Sequence, residues 1–256
     1  MKQGGRVAVA LTAALVGVVL AGCGQRGAPP EGAYSGLGSV PERLDPDGTT
    51  ITVGNPHATV TVHLYEDPRC PVCEEFESTG GGGPELKDAT VRGEAKTEYT
   101  LASFLDDRLG GSGSKKAVNA LRAALAEGRF AEYHQVLYRH QPEESEDGFT
   151  DERLLELAEQ VDGLRGPAFD SAVKDMKYRA FVKASEKAYE EAGGSAAPGG
   201  PGTPTAVINT VRIPADHNGV LFDAPVFSNL LRQIREAPGE WGAYVFPDVT
   251  GIPGLS

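Results

Sequence analysis

Cys70-Pro71-Val72-Cys73 is the stretch of this chain whose residue types and spacing can do chemistry. Two thiols separated by two residues can cycle between dithiol and disulfide, close an inert disulfide, or supply half of a metal site. A structural zinc site needs four ligands, and no second Cys-x-x-Cys is present beside the scattered His57, His63, His134, His140 and His217. Those histidines read as ordinary surface or core residues, and no metal is expected. Glu74 follows Cys73 where c-type haem attachment requires histidine. A disulfide closing so short a loop adds little stability, so a redox-active pair is the preferred reading and an inert disulfide the alternative.

The flanking residues predict how the pair is held. Residues 59–65, Thr-Val-Thr-Val-His-Leu-Tyr, alternate and are rich in β-branched types, which predicts a strand entering the core. Pro71 suits a first helical turn, and Glu74-Glu75-Phe76-Glu77 places acids near a helix start. Cys70 therefore falls at a helix N-terminus, where unpaired N–H groups and the helix dipole favour a thiolate. Such placement lowers a cysteine pKa from about 8.5 to roughly 3.5–7.5.

The N-terminus predicts export. Met1 to Arg6 is basic, Val7 to Val19 is almost wholly apolar, and Leu20-Ala21-Gly22-Cys23 follows. That ending resembles the lipobox of bacterial lipoproteins, which implies a signal peptide over residues 1–22 and a diacylglycerol group on Cys23. An uncleaved transmembrane anchor is the alternative, because the uncharged run from Val7 to Gly24 reaches the low end of the roughly 17–25 residues needed to span. Either anchor places the remainder outside the cytoplasm, at the cell membrane. Of the chain's 3 cysteines, this leaves Cys70 and Cys73 with only each other.

Residues 23–50, rich in Gly, Pro and Ser, read as a flexible tether, with the fold beginning near Ile51 as a short edge strand. The 256 residues are ample for one substantial core. A formal charge of −12 argues against a nucleic-acid partner and otherwise fits a solvated exterior.

Tyr65-Glu66-Asp67-Pro68-Arg69-Cys70-Pro71-Val72-Cys73-Glu74-Glu75-Phe76 resembles the active-site segment of DsbA-like thioredoxin-fold proteins. Gly202-Thr203-Pro204-Thr205-Ala206-Val207-Ile208-Asn209 resembles the family's cis-proline segment. The resemblance extends over about Ile51 to Ala237. It implies an α/β, thioredoxin-like fold with a central mixed β-sheet, a cis Thr203–Pro204 bond beside the cysteines, and a large helical insertion at about 113–193. Helical spacing agrees with the insertion: Val118, Leu121 and Leu125; Phe130, Tyr133 and Leu137; Leu154, Leu157 and Val161; Phe169 and Val173. Thr205 to Ile208 and Val211 to Ile213 read as a hairpin around Asn209-Thr210, looser than a type I′ turn because threonine disfavours positive φ. Residues 95–104 have strand character, Ala224 to Glu236 a closing helix, and 238–256 a tail strapped over the surface.

In function the resemblance implies thiol–disulfide exchange without an organic cofactor, the redox-active Cys70–Cys73 disulfide serving instead. Cys70 is the nucleophile, Cys73 resolves the mixed disulfide, and Thr203 and Pro204 present backbone to an extended substrate peptide. The expected partners are exported proteins with thiols or disulfides and a membrane redox partner that resets the pair. Two departures leave the direction of transfer open among oxidase, reductase and isomerase. Strongly oxidising relatives carry histidine within the active-site dipeptide, here Pro71-Val72, and Arg69 is a candidate thiolate stabiliser in compensation. The family's buried acid, six residues before the first cysteine, falls on Leu64. Glu66 and Asp67 are the nearest acids, read as exposed turn residues as readily as proton carriers. The second function class is a non-catalytic binding lipoprotein that retains the scaffold with an inert disulfide.

Overall fold

A computed structural model describes Met1 and residues 33–237. The leader, Cys23 and the tail over 238–256 lie outside the described residues.

Six strands form one sheet: β1 (Glu42–Leu44), β2 (Ile51–Gly54), β3 (Val60–Glu66), β4 (Ala95–Leu101), β5 (Thr205–Ile208) and β6 (Val211–Arg212), in the order β1-β2-β4-β3-β5-β6. β3 and β4 run parallel, and the remaining pairs are antiparallel, so the sheet is mixed. The parallel pair is connected through α1 (Pro71–Glu77) and α2 (Gly82–Val91). A parallel connection needs such a crossover. In β3 the period of two puts Val60, Val62, Leu64 and Glu66 on one buried face.

Six helices separate β4 from β5: α3 (Phe104–Leu109), α4 (Gly113–Ala126), α5 (Phe130–Arg139), α6 (Asp151–Ala158), α7 (Pro167–Lys174) and α8 (Arg179–Ala192). α4 buries Ala117, Val118, Ala120, Leu121, Ala123 and Ala124. Apolar on most of its surface, it is the hub on which the other insertion helices pack. Ser185 of α8 accepts from Leu101 N at 3.0 Å and donates to Leu101 O at 2.8 Å, which ties the insertion to the end of β4. α9 (Ala224–Glu236) closes the opposite face, where Phe227 meets Phe76 edge-on at 5.9 Å. Gly81 allows the tight return between α1 and α2, since a Cβ there would stand 2.2 Å from the Phe76 carbonyl oxygen.

The buried residues form two large cores and a small one between them. One joins Ile51, Val53 and Leu101 to the insertion helices, and the other joins β3 and β5 to α1, α2 and α9. Cys70, Cys73, Leu105 and Tyr138 make the third, with Phe104 packed against it. The dithiol thus occupies the seam between sheet and insertion.

Three expectations are corrected. The ordered fold begins well before Ile51, because β1 pairs with β2, Val40 is buried, and Asp47 caps Thr49 and Thr50 at 2.8 and 2.9 Å. All four residues of β2 are buried, and β1 supplies the hydrogen bonds that would otherwise be missing on that side, so β2 is an interior strand. The strand over 95–104 ends at Leu101, and Phe104 opens α3. In the hairpin Asn209 alone of the two turn residues takes positive φ, 54°. Its N–H donates to Thr61 O at 2.7 Å and its side chain accepts from Thr61 N at 2.9 Å, which continues the ladder onto β3.

Candidate active site

Cys70 is the N-cap of α1, with extended backbone (φ −75°, ψ 117°), and Pro71 occupies the first helical turn. Its carbonyl accepts from Cys73 N and Glu74 N, each at 3.1 Å. Cys70 is 6% exposed, Cys73 is fully buried, and Val72 between them is 43% exposed. The approach to the pair is therefore from the Cys70 side, over an apolar lip.

The sheet register carries the proline loop to this point. Tyr65 pairs with Thr205 across β3 and β5, so Pro204 falls opposite the end of β3 where the active-site loop begins. The Thr203–Pro204 bond is cis. Cys70 Sγ lies 3.4 Å from Thr203 O, and the buried Thr203 hydroxyl has no oxygen or nitrogen partner of its own. It is an unspent donor beside the sulfur. Behind the loop, Tyr189 accepts from Gly202 N at 3.2 Å and stacks on Phe104 at 5.3 Å.

These surroundings treat the two thiols oppositely. A hydrogen bond from the Cys73 thiol is the largest influence on Cys70 and lowers its pKa from 9.0 to about 6; burial opposes it, and the Thr203 side chain and the N–H groups of Cys73 and Val72 add to it. Burial pushes Cys73 well above its ordinary value, reinforced by Cys70 and Glu66, with only the Asp67 N–H favouring its thiolate. At neutral pH one sulfur is a thiolate and the other holds its proton.

Arg69 does not act as the thiolate stabiliser anticipated for it. Its guanidinium is 2% exposed, and its two terminal nitrogens donate to Asp106 Oδ1 at 3.0 Å, Gly110 O at 3.0 Å and Glu144 O at 3.2 Å, while the buried Nε has no partner. A cation already neutralised by a buried carboxylate projects little field onto the sulfur. Its work is to anchor the active-site loop to the insertion. Asp67 shares that work: Oδ1 accepts from Arg69 N at 2.9 Å and Ser114 Oγ at 2.6 Å, and Oδ2 accepts from Leu105 N at 3.1 Å. Asp106 caps the start of α4 through Ser114 N at 2.9 Å and Lys115 N at 2.8 Å. Gln141 donates to Pro68 O at 2.8 Å and Cys70 O at 3.0 Å.

Glu66 and Asp67 are fully buried, which overturns their reading as exposed turn residues. Glu66 supplies a buried acid from the end of β3, on the same strand face as Leu64. Its Oε2 lies 2.9 Å from His134 Nε2. Ligand atoms of Glu66, Glu77 and His134 lie within 4.8 Å of one another, the one such group among the described residues with the donor set and spacing to hold a metal ion. Burial raises Glu66 and Glu77 from 4.5 to about 8 each, and burial holds His134 below its ordinary value. His140 does not join this group, since its Nε2 bonds Gln160 Oε1 at 3.0 Å.

Sequence reasoning missed Glu77 and His134, although both signals were present. Glu77 is one helical turn beyond Cys73, and His134 sits on the stripe of α5 that carries Phe130 and Tyr138.

A dithiol with one exposed edge at a helix N-terminus, facing a cis-proline loop across a mixed sheet, defines the thioredoxin-like class of folds. A profile of the thioredoxin family matches residues 46–219, and the chain belongs to that family. Its fold is similar to that of BdbD from Bacillus subtilis, at 20% identity and a TM-score of 0.60 over 81% of this chain and 100% of that one. It is similar as well to DsbA from Chlamydia trachomatis (23%, TM-score 0.57, 72% and 91%) and to MdbA, a thiol-disulfide oxidoreductase from Corynebacterium diphtheriae (18%, TM-score 0.58, 78% and 95%). The fold is thus the DsbA-like one, with a helical insertion in a thioredoxin core. Comparison with curated proteins finds no match.

Proposed function

We propose that this protein is an extracytoplasmic thiol–disulfide oxidoreductase, anchored to the membrane through lipid on Cys23, which exchanges disulfides with exported proteins. The observation that carries the chemistry is the opposite treatment of the two sulfurs: Cys70 keeps a narrow exposed edge and its pKa is lowered to about 6, while Cys73 is fully buried and its pKa is raised. A substrate thiolate attacks Sγ of Cys70 in the oxidised pair, the Cys70–Cys73 bond breaks, and Cys73 leaves and takes up a proton. In the other direction, Cys73 loses its proton and attacks Sγ of Cys70 in the mixed disulfide, expelling the substrate thiolate. The pair itself carries the two electrons.

Stabilising the Cys70 thiolate stabilises the dithiol form, and that favours donation of the disulfide to substrates. The Thr203 hydroxyl and the helix N-terminus take the place of the charge or donor that Val72 does not supply. An extended peptide laid against the Thr203 backbone would pass over Val72 with its sulfur at Cys70.

The deciding measurement is the reduction potential of the Cys70–Cys73 pair. A value more oxidising than roughly −300 mV supports an exchanging pair, and one approaching −120 mV an oxidant, whereas a lower value with no exchange against a model disulfide identifies an inert bond. Among the described residues no helix is long and apolar enough to cross a membrane. Anchoring is tested by labelling with fatty acid, which Cys23→Ser should abolish.

A further inference from the structure

Glu66 ends β3, Glu77 ends α1 and His134 lies in the middle of α5, and the fold packs the three side chains together. We propose that they bind one divalent transition-metal ion of the Zn²⁺ type, which ties the sheet, the active-site helix and the helical insertion together at a single point. The inference goes beyond disulfide exchange and does not depend on it.

The spacing suits one ion. A ligand atom of each residue lies within 4.8 Å of the other two, and His134 Nε2 is 2.9 Å from Glu66 Oε2. Zinc bonds to imidazole nitrogen and carboxylate oxygen are about 2.0–2.2 Å long, which sets neighbouring ligand atoms roughly 3–3.5 Å apart. One ion therefore reaches all three with shifts of less than about 1 Å. Aromatic neighbours hold the His134 ring in place: Tyr99 and Tyr138 at 4.8 Å and Phe130 at 5.6 Å between ring centroids. A ligand locked by packing is already positioned for the metal.

Two unmet requirements of this interior point to a cation. The first is charge. Glu66 and His134 are buried and Glu77 is partly buried, yet among the described residues no lysine or arginine is ion-paired with either glutamate. Two carboxylates removed from water without a cation are costly, whereas a divalent ion with two carboxylates and a neutral imidazole makes a set of zero net charge. The second is hydrogen bonding. Glu66 Oε1 is buried with no donor among the described residues. The hydroxyl of Tyr138, a residue 3% exposed on which the charges of Glu66 and Glu77 both act, is buried without a partner as well. Oε1 is an open ligand position, and the hydroxyl is placed to hydrogen-bond a water on the ion.

The donor set selects the ion. One imidazole and two carboxylates, with no thiolate in the group, suit Zn²⁺, whereas Ca²⁺ takes about 6–8 oxygen ligands. Three protein ligands leave a fourth position for water. A cavity of about 30 Å³, enough for one or two waters, touches both Glu77 and His134. Glu77 also lines a surface cavity of about 350 Å³ with Glu74, Lys87, Gln135, Tyr138 and Arg139, which gives the ion a way in.

The test is calorimetric titration of the full chain with Zn²⁺ in its oxidised form, where the Cys70–Cys73 disulfide removes the thiols as competing ligands. At pH 8 protons compete less for the carboxylates. One equivalent should bind the wild type, and the melting temperature should rise with Zn²⁺ concentration. Glu77→Gln and His134→Gln should each weaken binding by more than the roughly 10–100-fold that loss of an outer-shell partner costs, and should lose the thermal shift. X-ray absorption of the Zn²⁺-loaded, oxidised wild type needs no variant and so stands even where a variant fails to fold. A first shell of nitrogen and oxygen at about 2.0–2.2 Å that includes one imidazole supports the site. The absence of a bound equivalent, an affinity unchanged in a folded Glu77→Gln, a shell of oxygen alone, or binding seen only after reduction of the disulfide overturns it. Failure of the wild-type pair to exchange with any disulfide would count against the proposed function and leave this result unaltered.

Discussion

The Cys70 sulfur lies 3.4 Å from the carbonyl oxygen of Thr203, on a proline loop 133 positions away in the chain. The buried Thr203 hydroxyl beside it has no competing partner. In a site whose dipeptide lacks a charged or donor side chain, that hydroxyl is the side-chain donor available to the thiolate from outside the cysteine motif.

Thr203→Val keeps the shape of the loop and removes the donor. A hydrogen bond to a charged group contributes about 1.5–3 kcal/mol, so the Cys70 pKa should rise by about one to two units. Thiolate absorbance against pH measures the shift, and the reduction potential should become less oxidising in step.

The pH dependence of stability should distinguish the reduced from the oxidised protein. An acid whose pKa falls on folding adds stability above its unfolded pKa and loses it as pH drops through its folded pKa. For Cys70, lowered from 9.0 to about 6, the dithiol form should lose up to about 4 kcal/mol between pH 9 and pH 6 relative to the disulfide form, which has no thiol to titrate. Paired denaturant titrations at several pH values give the difference.

Glu66 and Glu77 carry the opposite sign. Acids raised on folding from 4.5 to about 8 stabilise the fold below pH 4.5 and lose that contribution as pH rises to about 8. Melting temperature should therefore carry a downward component across this window, and Glu66→Gln should flatten it.

Cys73→Ala should trap substrates as mixed disulfides on Cys70, visible as adducts that a reductant releases. Cys70→Ser should trap none, because the remaining sulfur is fully buried.

Arg69→Met separates anchoring from thiolate stabilisation. It leaves the buried Asp106 carboxylate without its cation and should cost about 3–5 kcal/mol, read by denaturant unfolding. The Cys70 pKa should move by no more than a few tenths of a unit.

Much of this site was legible locally. Alternation in residues 59–65, Pro71 after Cys70 and the helical spacing beyond Gly113 specify strand, helix start and insertion, because these depend on neighbours a few positions away. The cysteine spacing names the chemistry for the same reason. What the linear pattern does not contain is partnership across the fold. Arg69 beside a cysteine suggests a field on the sulfur, yet its partner Asp106 arrives from α3 and removes that charge. Residues 37–50 look like linker by composition, yet the fully buried β2 draws β1 alongside to satisfy its backbone. Glu66, Glu77 and His134 come from a strand and two helices, and each alone reads as an ordinary acid or a core histidine. Only the tertiary structure brings them together in a dry interior, where burial raises both carboxyls well above their ordinary range.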